Sequence, residues 1–85
     1  MQLLQNFELA VANSKTLTEK PDNETLLKLY SLYKQATEGD NKETVTTNPF
    51  DFVAKFKQEA WSKLAGTTKE NAMQQYIDII TALKN

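Results

Sequence analysis

Eighty-five residues with no cysteine and no histidine, ten basic against eleven acidic, define this chain. That length fits one small domain over residues 1–85, with a thin hydrophobic margin and a core closed by packing alone, since neither disulfides nor thiolate zinc can add to it. The missing histidine removes the commonest general base and transition-metal ligand, which speaks against an enzyme and against a metal site, and a net charge of −1 gives no long-range attraction for nucleic acid.

No apolar run approaches the roughly 20 residues of a membrane span, and the start Met1-Gln2-Leu3-Leu4 has no basic leader pattern. A soluble, cytoplasmic protein without stable membrane insertion is expected. Helical periodicity occurs in four blocks and strand-like alternation in none, so the expected class is all-α.

In the first block Leu3, Leu4, Phe7, Ala10, Val11, Ser14 and Leu17 share a face, and Pro21 disfavours helix at Lys20, so this helix is expected to stop near Leu17. The second opens after Pro21, with Asp22 and Asn23 available as caps, and its stripe is Leu26, Leu29, Leu32, Tyr33 and Ala36. It should end before Gly39. A polar connection from Glu38 to Asn48 follows, long for a bundle loop and compatible with a crossover.

Asn48-Pro49 is a strong start signal for the third helix, because Asn can cap and Pro at the first helical position loses no needed N–H. Its expected inward arc is Phe52, Val53, Phe56, Ala60 and Leu64, with Trp61 at one margin and Gly66 as the left-handed terminator. Thr67 to Glu70 has the spacing of a capping box for the fourth helix, whose wide stripe is Ala72, Met73, Tyr76, Ile77, Ile79, Ile80 and Leu83.

Chemistry concentrates on the second helix. Tyr30, Tyr33, Lys34 and Thr37 occupy about a third of its circumference, setting two phenols and an ammonium on one face suited to an anionic, aromatic ligand. The plainer alternative is two tyrosines bordering a core stripe beside a solvated lysine. Lys57 lies four residues before Trp61, either shielding the indole or reaching toward Lys34 as a second anion contact. Tyr76 sits mid-stripe, where its hydroxyl requires a partner, structural or ligand-borne. Ser31 has no histidine partner, and Gly39 and Gly66 are too far apart for a phosphate loop.

The strings Leu29-Tyr30-Ser31-Leu32-Tyr33-Lys34-Gln35-Ala36-Thr37 with Gly39-Asp40, Lys55-x-Lys57 with Ala60-Trp61, Leu64-x-Gly66-Thr67-x-Lys69-Glu70-x-Ala72-Met73, and Tyr76-Ile77 together resemble the acyl-CoA-binding protein family in order and spacing. The resemblance implies a skewed up-down-down-up four-helix bundle with a long crossover loop, binding medium- to long-chain acyl-CoA esters noncovalently as a monomeric carrier and pool former, with no cofactor. It also implies residue roles. Tyr30, Lys34 and Lys57 would meet the ribose 3′-phosphate, Tyr33 would stack on adenine, Tyr76 would bind near the nucleotide, Lys15 would lie beside adenine, and Ala10 with Leu26 would line the acyl channel.

Gln58 stands where the family usually has a tryptophan, Val53 where it often has a lysine, and the connection before the third helix is one residue longer. Two other classes compete. A covalently loaded carrier needs an Asp-Ser-Leu attachment site, which is absent; a helical protein-interaction module regulated by acyl-CoA would present Trp61, Gln58 and the longer loop.

Overall fold

The computed structural model describes residues 2–41 and 52–84, and within them four helices form: α1 Gln2–Ser14, α2 Asn23–Glu38, α3 Phe52–Ser62 and α4 Lys69–Lys84. The expected start signal at Asn48-Pro49 lies outside the described residues. None of these helices is long and apolar enough to cross a membrane.

The helices stand in the spatial order α3, α2, α4, α1, because backbones approach only between α2 and α3, α2 and α4, and α1 and α4. This order explains how widely each helix is apolar. The two inner helices have a neighbour on each side: α2 buries Leu29, Ser31, Leu32, Gln35 and Ala36, and α4 buries Ala72, Tyr76 and Ile80. Each outer helix needs one seam, so α1 buries Phe7 and Ala10, and α3 buries Trp61.

That constraint corrects the expectation for α3. Phe52, Val53 and Phe56, read as an inward arc, are 61%, 64% and 55% exposed, while Trp61, read as marginal, is 2% exposed. The indole wins the seam because its N–H finds the Gly39 carbonyl at 2.9 Å, which meets the hydrogen-bonding need of a buried tryptophan. Leu4, placed on the α1 stripe, is likewise exposed, and Tyr33 lies at the margin of the α2 stripe with 41% exposure.

Helix ends follow local chemistry. α1 stops at Ser14, not Leu17, as Lys15 and Thr16 donate to carbonyls three residues back and the Ser14 and Thr16 hydroxyls take the Val11 and Asn13 carbonyls. Asp22, rather than Asn23, caps α2, its carboxylate accepting from the Thr25 N–H at 2.8 Å. At α4 the cap is one residue later than the Thr67–Glu70 spacing indicates: the Thr68 hydroxyl accepts from the Asn71 N–H at 3.1 Å. Thr67 is occupied elsewhere.

Gln35, wholly buried, donates from Nε2 to Asp40 Oδ1 at 2.8 Å and to the Thr67 carbonyl at 2.7 Å, and the Gly66 N–H donates to the same Asp40 oxygen at 3.0 Å. Gly39 can place Asp40 here because it adopts φ +82°, a conformation open to glycine and strained for side-chain-bearing residues. The knot ties the end of α2 to the turn between α3 and α4. Just beyond, Asn41 Nδ2 donates to Gln58 Oε1 at 2.9 Å and Ser62 Oγ at 3.0 Å, so Gln58 has a structural task on α3.

Contacts also give helix direction. Tyr30 meets Lys57 and Lys34 meets Trp61, so α2 and α3 advance in parallel. Gln35 meets Thr67 near the start of α4 while Tyr33 and Tyr76 share a cavity farther along, so α2 and α4 are antiparallel. Phe7 packs on Tyr76 and Ala10 neighbours Ile77 and Ile80, so α1 and α4 are parallel. The result is up-down-down-up. The end of α2 and the start of α3 therefore lie at opposite ends of this helix pair.

Replacing Gln35 tests the knot. Gln35→Leu should destabilise by about 2 kcal/mol, a large share of the roughly 5–10 kcal/mol available to a domain this size, and Gln35→Glu by more, since a carboxylate would face two acceptors. Urea unfolding measures both.

The Thr25 side chain and, secondarily, its backbone N–H hold the Asp22 carboxyl below its ordinary value near 3.8. A depressed folded-state pKa means that this stabilisation is complete above the unfolded value and lost as pH falls through the folded one. Thermal melts from pH 6 to pH 2 should therefore show an acid-side loss that Asp22→Asn, which keeps a capping oxygen, reduces.

Candidate functional site

Since α1 and α2 make no close backbone approach, side chains must fill the space between them above α4. Phe7 does so, its ring stacked on Tyr33 at 6.0 Å between centroids and 27° between planes, and edge-on to Tyr76 at 5.2 Å and 72°. The filling is incomplete. A cavity of about 230 Å³ remains, lined by Ser14, Leu17, Pro21, Leu26, Leu29, Tyr30, Tyr33 and Tyr76.

Three tyrosines thus converge on one cavity from α2 and α4. Tyr33 is backed by Phe7 yet stays 41% exposed, which gives a supported aromatic surface for stacking. Tyr76 is 5% exposed and packs edge-on to the Phe7 ring; of the two partners open to its hydroxyl, no structural hydrogen bond forms among the described residues. Thr37, the fourth member of the α2 face, turns its hydroxyl to the Tyr33 carbonyl at 2.8 Å.

The two lysines exchange the partners that spacing proposes. Lys57 Nζ lies 5.0 Å from the Tyr30 ring centroid rather than over its own helix's Trp61, and Lys34 Nζ lies 5.5 Å from the Trp61 centroid. Two crossed cation–π contacts bridge α2 and α3: Lys57 rests on the Tyr30 ring that lines the tyrosine cavity, while Lys34 lies one turn farther along α2, over Trp61. Lys34 also pairs with Glu38 one turn on at 2.6 Å, with both side chains partly exposed. An incoming anion would compete with that carboxylate.

A second cavity, about 390 Å³, opens between α2 and α3 among Asn23, Leu26, Leu27, Val53, Phe56 and Lys57. Leu26 lines both cavities, so an apolar groove adjoins the tyrosine site at a shared wall. Val53 adds a further apolar side chain to the groove. Lys15 is exposed in the turn after α1, and Ser14 and Leu17 beside it line the tyrosine cavity.

The structure therefore brings together Tyr30, Tyr33, Tyr76, Leu26 and Lys57, with Lys15 nearby, whereas Lys34 lies a turn away over Trp61 and against Glu38. Ala10 stands apart, lining a cavity of about 330 Å³ on the α1–α4 seam with Leu9, Ile77 and Ile80. Sequence reasoning missed Phe7 as the support of two tyrosines; its signal was an aromatic residue one turn before Ala10 on the core face of α1. Among the described residues no group of three acidic residues could hold a metal ion.

Comparison with known proteins gives the family. Residues 4–80 match the family described as "Acyl CoA binding protein". The chain is 45% identical over 85 residues to "Enoyl-CoA delta isomerase 2" of Rattus norvegicus, covering 95% of this chain and 20% of that protein. It is 39% identical over 79 residues to the "Acyl-CoA-binding protein homolog" of Drosophila melanogaster, covering 93% of this chain and 91% of that protein. The chain thus spans about a fifth of the isomerase and nearly all of the fly protein. The crystal structure of Oryza sativa Acyl-CoA-Binding Protein 2 superposes with a TM-score of 0.86 at 38% identity, over 95% of this chain and 89% of that one. Sequence match and shared fold agree: the chain belongs to the acyl-CoA-binding protein family.

Proposed function

We propose that the chain binds medium- to long-chain acyl-CoA esters noncovalently and acts as a monomeric cytoplasmic carrier and pool former that performs no chemistry on its ligand. The observation that carries the reading is the adjacency of a lysine-bordered tyrosine cavity and an apolar groove across Leu26, a polar-aromatic compartment beside an apolar one. The similar proteins' names agree on CoA thioesters, one as an acyl-CoA binder and one as an enoyl-CoA isomerase.

In this reading Lys34, Lys57 and the Tyr30 hydroxyl take the 3′-phosphate, and Tyr33, supported by Phe7, stacks on adenine. Tyr76 meets the same nucleotide, and Lys15 lies at the adenine edge. Lysines suit phosphate as point charges, and each can leave its ring partner at small cost. The acyl tail crosses Leu26 into the groove between α2 and α3. Ala10, expected on the acyl channel, lines a separate cavity on the α1–α4 seam.

Magnitudes divide the work between the two compartments. About 15 buried methylenes are worth roughly 12 kcal/mol gross at about 0.8 each, reduced by several kcal/mol of ordering and association cost. The tail supplies most of the affinity, and the lysines supply head-group selectivity that weakens with salt.

Calorimetric titration with palmitoyl-CoA, octanoyl-CoA, free CoA and palmitate should rank palmitoyl-CoA first. Palmitate binding as tightly as palmitoyl-CoA would remove the nucleotide site. Lys34→Ala and Tyr33→Ala should each weaken palmitoyl-CoA binding by about 1–3 kcal/mol, as expected for a lost charged hydrogen bond or base stack. Glu38→Gln should strengthen free CoA binding by up to about fivefold, the scale of an exposed ion pair no longer competing for Lys34. Equal affinities in all three variants would defeat these residue roles.

A further inference from the structure

The seam between α2 and α3 holds two cavities. Beyond the groove of about 390 Å³ lies another of about 450 Å³, floored by Ala60 and Leu64 and rimmed by Glu24, Lys28, Glu59 and Lys63. Leu27 and Phe56, one from each helix, are the residues that line both. Around α2, Asn23 and Leu26 face the first cavity while Glu24, Lys28 and Ser31 face the second, and at about 100° per residue Leu27 falls between the two sets. The two side chains therefore stand as a partition within one interhelical seam.

Resting on the acyl-CoA reading, we infer that Leu27 and Phe56 form a septum that ends the acyl groove and sets the longest tail the site holds in full. Tail carbons between Leu26 and the septum leave water and add affinity. Carbons beyond it meet the septum, turn outward and add little. Phe56 is 55% exposed and lies outside the main core cluster, so its ring contributes more to the shape of the seam than to folding. Removing the ring would join the two cavities and give a longer tail an apolar floor at Ala60 and Leu64.

The test compares the wild type with Phe56→Ala, Leu27→Ala and Phe56→Trp, each first shown by thermal melting to be folded. Each is titrated with free CoA and with octanoyl-, dodecanoyl-, palmitoyl- and arachidoyl-CoA. Wild-type affinity should rise with tail length and then level off. In the two alanine variants the levelling should move to longer tails. With each newly buried methylene worth about fourfold, the arachidoyl-to-palmitoyl affinity ratio should grow by about tenfold or more. Phe56→Trp should shift the levelling to shorter tails, and free CoA should bind all four proteins alike. An unchanged tail-length profile in folded Phe56→Ala and Leu27→Ala overturns the septum even if every affinity falls together. A different result, no binding of any acyl-CoA by the wild type, overturns the acyl-CoA reading and the septum with it.

Discussion

The Gln35 amide is the constraint from which the remaining geometry follows. One NH₂ group satisfies a carboxylate that leads out of α2 and a carbonyl that leads into α4, while the same carboxylate receives the N–H of the turn after α3. Both acceptors of Nε2 demand a donor, which fixes the orientation of the amide, and its Oε1 is buried without a hydrogen-bond partner among the described residues. An unpaired acceptor costs about 1–3 kcal/mol, so the arrangement is tolerated because three segments are held in register by the other end of the group. With Trp61 bonded to Gly39 beside it, α3 cannot slide along α2, and that register is what sets Lys57 against Tyr30 and Lys34 against Trp61.

The legibility of the sequence tracks how many neighbours a helix has. The stripes of α2 and α4 were readable because inner helices must be apolar over a wide arc, and a wide arc survives an error of one position. The pairing of Tyr30 and Tyr33 at one cavity was readable for a related reason, since local spacing alone puts them together, but Lys34 on the same face turns to Trp61 on α3. On α3 the same reasoning failed. An outer helix buries a narrow line, and hydrophobicity cannot distinguish a residue saved for the core from one saved for a ligand; Phe52, Val53 and Phe56 look like core until the Trp61 indole N–H is seen to claim the seam. Partnerships across helices, such as Lys57 with Tyr30 instead of Trp61, depend on register and are invisible in one-dimensional spacing.

Charge at the site is held ready instead of left bare. Lys34 divides its interaction between an indole face and Glu38, and Lys57 rests on a phenol ring. These are weak holds, each worth about 1 kcal/mol or less at exposed positions, against charge-assisted hydrogen bonds of about 1.5–3 kcal/mol that a phosphate would offer. A phosphate can displace them without the fold changing. The ring contacts meanwhile limit the rotamers of two long side chains, so part of the ordering cost of binding is met during folding.

The apolar side of the site follows the opposite rule. Val53 and Phe56 are kept out of the core and line the groove floor and partition, with more than half of each side chain exposed. Every buried methylene foregone there lowers folding stability by roughly 0.8 kcal/mol, in a chain too short to hold a large reserve. The Gln35 knot, the caps at Asp22 and Thr68, and the buried indole concentrate the stabilisation in α2, α4 and the turns between helices, while Phe52, Val53 and Phe56 on α3 stay exposed. A groove of about 390 Å³ can then be shaped by single exposed residues at little cost to the core, so if it holds an acyl tail as proposed, substitutions on α3 would change tail-length preference and leave the tyrosine cavity intact.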